Sequence, residues 1–271
     1  MQLSSALQSF ATTSAQLFSE GQARAAALPA NTVQVWPGGA TFTTIQAAIN
    51  SIKDASPQLQ YQVAVGPGTY NENVVMIDNI YIIGKDQQET IIAAPGQQSA
   101  GAGVVNSSSD AGISEVTINA LGGGWGTWPI GIKICGSGNF HMSGVTINSN
   151  DGGTEGNNVR GISNNTGSYA GSLILGQSIL NCSGVQSSTV VAIELFGMSS
   201  VSMYVDVSTI QAQSQSQSFG VSTAVNATVT LQSSKIIGGT WALYDSDGTG
   251  LITANQCTIS GPVSGGVVVN P

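Results

Sequence analysis

The stretch Val116-Thr117-Ile118-Asn119 returns as Val145-Thr146-Ile147-Asn148, and its reading decides the fold. Looser echoes follow at Ser178-Ile179, Thr209-Ile210, Lys235-Ile236 and Thr258-Ile259. Their isoleucines are spaced 29, 32, 31, 26 and 23 residues apart. A polar–apolar pair returning every ~20–50 residues marks a stacked repeat, in which no unit can bury its apolar face alone. The pattern predicts one inward column, Ile118, Ile147, Ile179, Ile210, Ile236 and Ile259, with Thr117, Thr146, Ser178, Thr209 and Thr258 outside it.

Two other short runs accompany each occurrence. One series is Gly131-Ile132-Lys133-Ile134, Gly161-Ile162-Ser163, Ala192-Ile193-Glu194-Leu195, Gly220-Val221-Ser222, Ala242-Leu243-Tyr244 and Gly266-Val267-Val268-Val269. The other is Phe140-His141-Met142, Leu173-Ile174-Leu175, Val201-Ser202-Met203-Tyr204, Val229-Thr230-Leu231 and Leu251-Ile252-Thr253. Alternation of apolar and polar residues makes each run a strand with one buried face. Three strands per period, always in one order, predict a coil with three sides: an all-β, right-handed parallel β-helix. The hand follows the general preference of parallel crossovers.

Composition agrees. The 35 glycines, with many Ser, Thr, Asn and Gln, suit tight corners repeated at every coil. Hydrophobic residues at 41% suffice for a core, and aromatics at 6% suit a narrow interior filled by Val, Ile, Leu and Ala. No run of apolar residues is long enough to span a membrane, and the start shows no secretory signal. Net charge is −8, from six basic and fourteen acidic residues, which argues against a nucleic-acid partner. Cys135, Cys182 and Cys257 contain no Cys-x-x-Cys pair and read as small buried hydrophobes. A single histidine, His141, excludes a multi-histidine zinc site. No cofactor and no metal is implied.

The chain divides into an N-terminal helical segment, 1–30, and a β-helix domain, 31–271. Leu3, Leu7, Phe10, Leu17 and Phe18 recur at helical spacing up to a stop at Pro29. That helix packs on the first coil or forms an oligomerising neck. A second helix is signalled by Thr43-Thr44-Ile45-Gln46-Ala47-Ala48-Ile49, with Thr43 and Gln46 as a capping box. It would cover the open end of the β-helix.

Val35-Trp36-Pro37-Gly38-Gly39-Ala40-Thr41-Phe42 leading into that helix, then Val65-Gly66-Pro67-Gly68-Thr69-Tyr70-Asn71-Glu72-Asn73-Val74, Ile80-Tyr81-Ile82-Ile83-Gly84 and Thr90-Ile91-Ile92, resembles the opening of the pectin methylesterase family. The resemblance runs over roughly residues 33 to 93. It implies a fold of the pectin-lyase-like class and a chemistry of two aspartates, with glutamines stabilising an oxyanion and an arginine fixing the nucleophile. The family's Gln-Asp-Thr-Leu motif is met here by Gln186-Ser187-Ser188-Thr189, and its Asp-Phe-Ile-Phe-Gly motif by Ser216-Gln217-Ser218-Phe219-Gly220. Ser187 stands where the first motif has its aspartate, and the second stretch, from Gln215 to Gly220, has no carboxylate. The Gly-Arg-Pro-Trp motif is absent, and no arginine follows Arg160.

Other candidates are few. Asp151, Glu155 and Arg160 lie in a polar stretch, Asn148 to Asn165, read as a loop leaving the coil. They are either solvated or an acid/base pair with a positioning arginine. Asp245 and Asp247 suit an Asx corner or a Ca²⁺ site. Glu194 alternates outward and is expected in solvent. Trp125 and Trp128, on a glycine-rich loop, suit stacking on a sugar ring or folding back over the coil. The outward hydroxyl row suits sugar or ice but is broken by Lys235.

These features point to a non-catalytic glycan-binding or structural β-helix, such as a surface adhesin or a phage tail or capsid appendage. The expected partner is a polysaccharide. The expected place is extracellular, cell-surface or virion-associated. The alternatives are a polysaccharide-active esterase, lyase or hydrolase with an unidentified acidic site, and a fold borrowed for unrelated enclosed-site chemistry.

Overall fold

The computed structural model describes residues 31–38, 40–95, 102–123, 126–153, 157–164, 169–185, 188–196, 200–224 and 226–271. Contacts divide the chain at Thr32 and Val33. The helix expected within residues 3–28 lies outside the described residues, as do Trp125 and Glu155.

The described chain winds into a right-handed parallel β-helix with three strand faces. On the first face Val63, Ile82, Ile113, Met142, Leu175, Val205, Leu231 and Ala254 are stacked in parallel register, all buried. On the second, Ile92, Ile118, Ile147, Leu180, Ile210, Ile236 and Ile259 form the corresponding column. On the third, the column is Val105, Ile132, Ile162, Ile193, Val221, Leu243 and Val263. Strands Ala111–Leu121 and Ser137–Asn150 run unbroken across the first corner, which joins the first two faces into one 16-stranded sheet.

From Ala111 onward the corner between first and second faces repeats at each coil. Glu115, Gly144, Gln177, Val207, Ser233 and Gln256 all adopt left-handed φ, from 46° to 58°. Only Gly144 is free of the Cβ penalty there, and β-branched Val207 is a backbone outlier. The residue after each corner points inward: Val116, Val145, Ser178, Ser208, Ser234 and Cys257. The serines form a ladder. Val145 N donates to Ser178 Oγ, Ser178 N to Ser208 Oγ and Ser208 N to Ser234 Oγ, at 3.1–3.2 Å. Each hydroxyl in turn donates to the carbonyl two residues back. Backbone groups that the tight corner would leave buried and unpaired are satisfied this way.

That ladder corrects the expected column. Ser178 takes the inward corner seat, so Ile179 falls outside and is 41% exposed, while Leu180 pairs with Ile147 and is fully buried. The repeat phrase is displaced by one residue at this coil, and a one-residue displacement moves a side chain to the other face. Ile179 rather than Ser178 therefore joins Thr117, Thr146 and Thr209 in the outer row. That row is not bare: the Thr117 and Thr146 hydroxyls donate to the Gln87 backbone and side-chain oxygens. Cys182 is buried as expected, whereas Cys135 and Cys257 are half-buried. Gly266-Val267-Val268-Val269 belongs to the first face, pairing with Ile252 to Ala254, and Val263-Ser264 takes the expected place on the third.

Helix α1, Ile45–Ser51, buries Ile45, Ala48 and Ile49 in the common core. Its N-cap is Thr44 rather than Thr43, with the hydroxyl accepting from Ala47 N. Gln46 bonds the Val75 backbone instead of closing a capping box. The Glu72 carboxylate, from the first coil, accepts the Ile45 and Gln46 N–H groups at 2.8 and 2.9 Å. A negative charge there complements the helix dipole.

Candidate functional site: the outer surface of the third face

The third face departs from simple alternation. Val159 and Ile162 are both in the core although three residues apart. The strand kinks at Gly161, where a Cβ would stand 2.5 Å from Ala192 O and 2.9 Å from Cys182 Sγ. The flanking residues Arg160 and Ser163 consequently both point outward. The same spacing recurs at Val191 and Glu194, Phe219 and Ser222, and Trp241 and Tyr244. Two outer rows result: Ile130, Arg160, Val191, Phe219, Trp241, and beside it Asn106, Lys133, Ser163, Glu194, Ser222, Tyr244.

At the N-terminal end of these rows sits a buried charge cluster. Arg160 Nε lies 2.7 Å from Glu194 Oε1, with side chains 7% and 3% exposed. The Nε–H is not aligned on that oxygen, so the contact is a charge pair rather than a directed hydrogen bond. Ser163 Oγ donates to Glu194 Oε2 at 2.8 Å. Arg160 Nη1 donates to the Val159 and Thr189 carbonyls. Its guanidinium also rests 5.8 Å from the ring centroid of Trp128, a cation–π contact. Glu194 thus points outward as alternation predicts, but it is 2% exposed rather than solvated. The one-coil spacing that brings Arg160 to it is a tertiary fact.

The expected grouping of Asp151, Glu155 and Arg160 is not what the structure forms. Arg160 is in strand Asn158–Ser163, not in a loop, and takes Glu194 as its partner. Asp151 is buried and pins the next coil: Oδ2 accepts Val185 N at 2.6 Å and Ser188 Oγ at 2.9 Å, and Oδ1 accepts Gly153 N. It is neither solvated nor free to take a proton from substrate. Ser218, in the family's nucleophile stretch, is buried, its hydroxyl accepting from Gly239 N. Ser216 is exposed at the strand's edge. Gln186 and Ser187 lie outside the described residues.

The C-terminal end of the rows carries an aromatic cluster that reading of the sequence missed. Trp241 and Tyr244 stack with centroids 5.6 Å apart and planes 19° apart. Phe219 packs on Tyr244 at 5.4 Å and 43°. All three rings are half-buried. The signal was Trp241-Ala242-Leu243-Tyr244, but only the kink shows that residues three apart share a face.

Asp245 and Asp247 are committed to corners. Asp245 Oδ2 accepts Gly250 and Gly266 N–H groups, and Asp247 Oδ1 holds the Thr249 backbone and hydroxyl. These are corner bonds, as the Asx reading expects. Burial and, secondly, the Asp86 charge raise the Glu115 carboxyl above the usual range. Asp86 Oδ1 is itself occupied by Gln88 and Glu89 N–H groups. Burial lowers the His141 imidazole pKa, against an opposing pull from the Asp110 charge. Among the described residues no three His, Cys, Asp or Glu side chains converge as a metal would require. Among them, too, no helix is long and apolar enough to cross a membrane.

No family profile matches the sequence, and no curated protein is significantly similar to it. Solved structures are similar. A pectin methylesterase from Aspergillus niger superposes with a TM-score of 0.56 at 14% identity, over 90% of this chain and 82% of that one. The chain has a pectin methylesterase-like β-helix fold. Pectin methylesterase PemA from Erwinia chrysanthemi gives a TM-score of 0.53 at 13% identity over 88% and 81% of the two chains. Escherichia coli YbhC gives 0.52 at 14% over 85% and 72%. At such identities the likeness is one of fold alone, and function has to be argued from the site.

Proposed function

We propose that this chain is a carbohydrate-binding β-helix that does not perform methylesterase chemistry, acting as a cell-surface or virion-borne adhesin module. One observation carries the reading. Among the described residues of the two outer rows on the third face, the one carboxylate, Glu194, is buried and paired with Arg160, and the rings of Phe219, Trp241 and Tyr244 are half-buried. A nucleophilic carboxylate must reach an ester carbonyl with a second group to move the proton. Glu194 is tied on both oxygens. Aromatic rings beside hydroxyl side chains are, by contrast, a surface on which a sugar ring stacks. Trp128 extends that surface toward the N-terminal end of the rows. The segment before residue 31 serves as an oligomerising neck in this reading.

The test is methanol release from highly methyl-esterified pectin by the purified chain, alongside binding to a glycan array. The expected result is binding without methanol. Methanol release abolished by substituting an acid would establish an esterase and overturn the proposal.

A further inference from the structure

We infer that the ligand of the third face is an uncharged polysaccharide, not a polyuronate, and that Phe219, Trp241 and Tyr244 are its stacking platform. The inference rests on the glycan-binding reading and adds the ligand's charge class and its seat. Three observations carry it.

First, Tyr244 stacks on Trp241 and meets Phe219 in a tilted contact, and all three rings are half-buried, so their orientations are held before any ligand arrives. Preorganised aromatic surface loses little side-chain entropy on binding. Second, the two outer rows hold three charged residues among those described, Lys133, Arg160 and Glu194, which are 5%, 6% and 2% exposed. Recognition of a carboxylate draws on an accessible Arg fork or Lys ammonium, and Arg160 is already paired with Glu194. The exposed lysines are elsewhere: Lys235 stands in the second-face row, Lys85 pairs with Glu89, and Lys53 follows α1. Third, the chain carries net charge −8, so a polyanion approaches against repulsion. Coils rise by about 4.8 Å, close to the length of one sugar unit. A polymer lying along the axis therefore meets Phe219 and Trp241 at successive units.

The test is affinity electrophoresis of the full chain through gels containing galactan, xylan, galactomannan or polygalacturonate, followed by calorimetry on the polymer that retards it. The expected ligand is one of the uncharged polymers, with affinity unchanged when salt rises from about 0.05 to 0.5 M, because no ion pair is screened. Trp241→Ala or Tyr244→Ala should weaken binding about tenfold, equivalent to ~1.4 kcal/mol. If either variant fails to fold, bound ligand should protect Trp241 in the wild type from N-bromosuccinimide, read by mass spectrometry. Preferred, salt-sensitive binding of polygalacturonate overturns the inference while leaving a glycan binder. Uncharged-polymer binding that survives both substitutions, or leaves Trp241 unprotected, overturns the platform. Binding to none of the four polymers overturns the inference, and silence on the array as well removes the glycan reading beneath it.

Discussion

Glu194→Ala is the most informative single perturbation. It leaves the Arg160 guanidinium, on a side chain 7% exposed, without its anion at 2.7 Å, and strips the Ser163 hydroxyl of its acceptor at 2.8 Å. Removing one partner of a buried pair costs about 3–5 kcal/mol, because the remaining charge keeps its desolvation penalty and loses its compensation. In a domain of this size each kcal/mol moves Tm by about 2–4 °C, so a fall on the order of 10 °C is expected. The assay is thermal and urea unfolding followed by circular dichroism, at low and high salt. Salt should matter little, since screening acts weakly on buried pairs. The double variant Arg160→Met, Glu194→Leu should regain most of the loss, because apolar replacements of similar volume carry no desolvation penalty. A Glu194→Ala stability within about 1 kcal/mol of wild type would mean that the pair is solvated. The account of the third face as a surface with no available charge would then fail.

Two further outcomes separate the structure from the repeat read literally. Ile147→Ala should cost about 2–5 kcal/mol as a core cavity, whereas Ile179→Ala should fall within ~0.5 kcal/mol of wild type; equal losses would restore the literal repeat. Burial pushes the Cys182 thiol up to about 12, so alkylation at pH 8 should label Cys135 and Cys257 well before Cys182, as peptide mass mapping would show.

Much of the fold was legible because its cause is periodic. A coil that must place one apolar side chain inward per face writes that need into the chain at every turn, as at Ile118 and Ile147. The reading slipped where spacing was irregular. Ser178 and Ile179 imitate the Thr-Ile phrase, yet the corner seat wanted a hydroxyl that could bridge the Val145 N–H and Gly176 carbonyl groups. The helix cap slipped for a related reason. The groups closing its N-terminus come from Thr44 and from Glu72, a contact 27 residues away that no local motif announces.

The parallel β-helix and the scarcity of basic residues, six against fourteen acids, were legible in the chain alone. Each follows from residue types at known spacing. Only the tertiary structure decided what the charged and aromatic residues do. Arg160 and Glu194 are 34 positions apart in the chain but one coil apart in space, and Phe219 reaches Tyr244 by the same route. The kink at Gly161 then turns residues three apart to one face, against the two-residue period a strand leads one to expect. Site chemistry here is written across coils, and stacking, which a linear reading cannot see, brings its parts together.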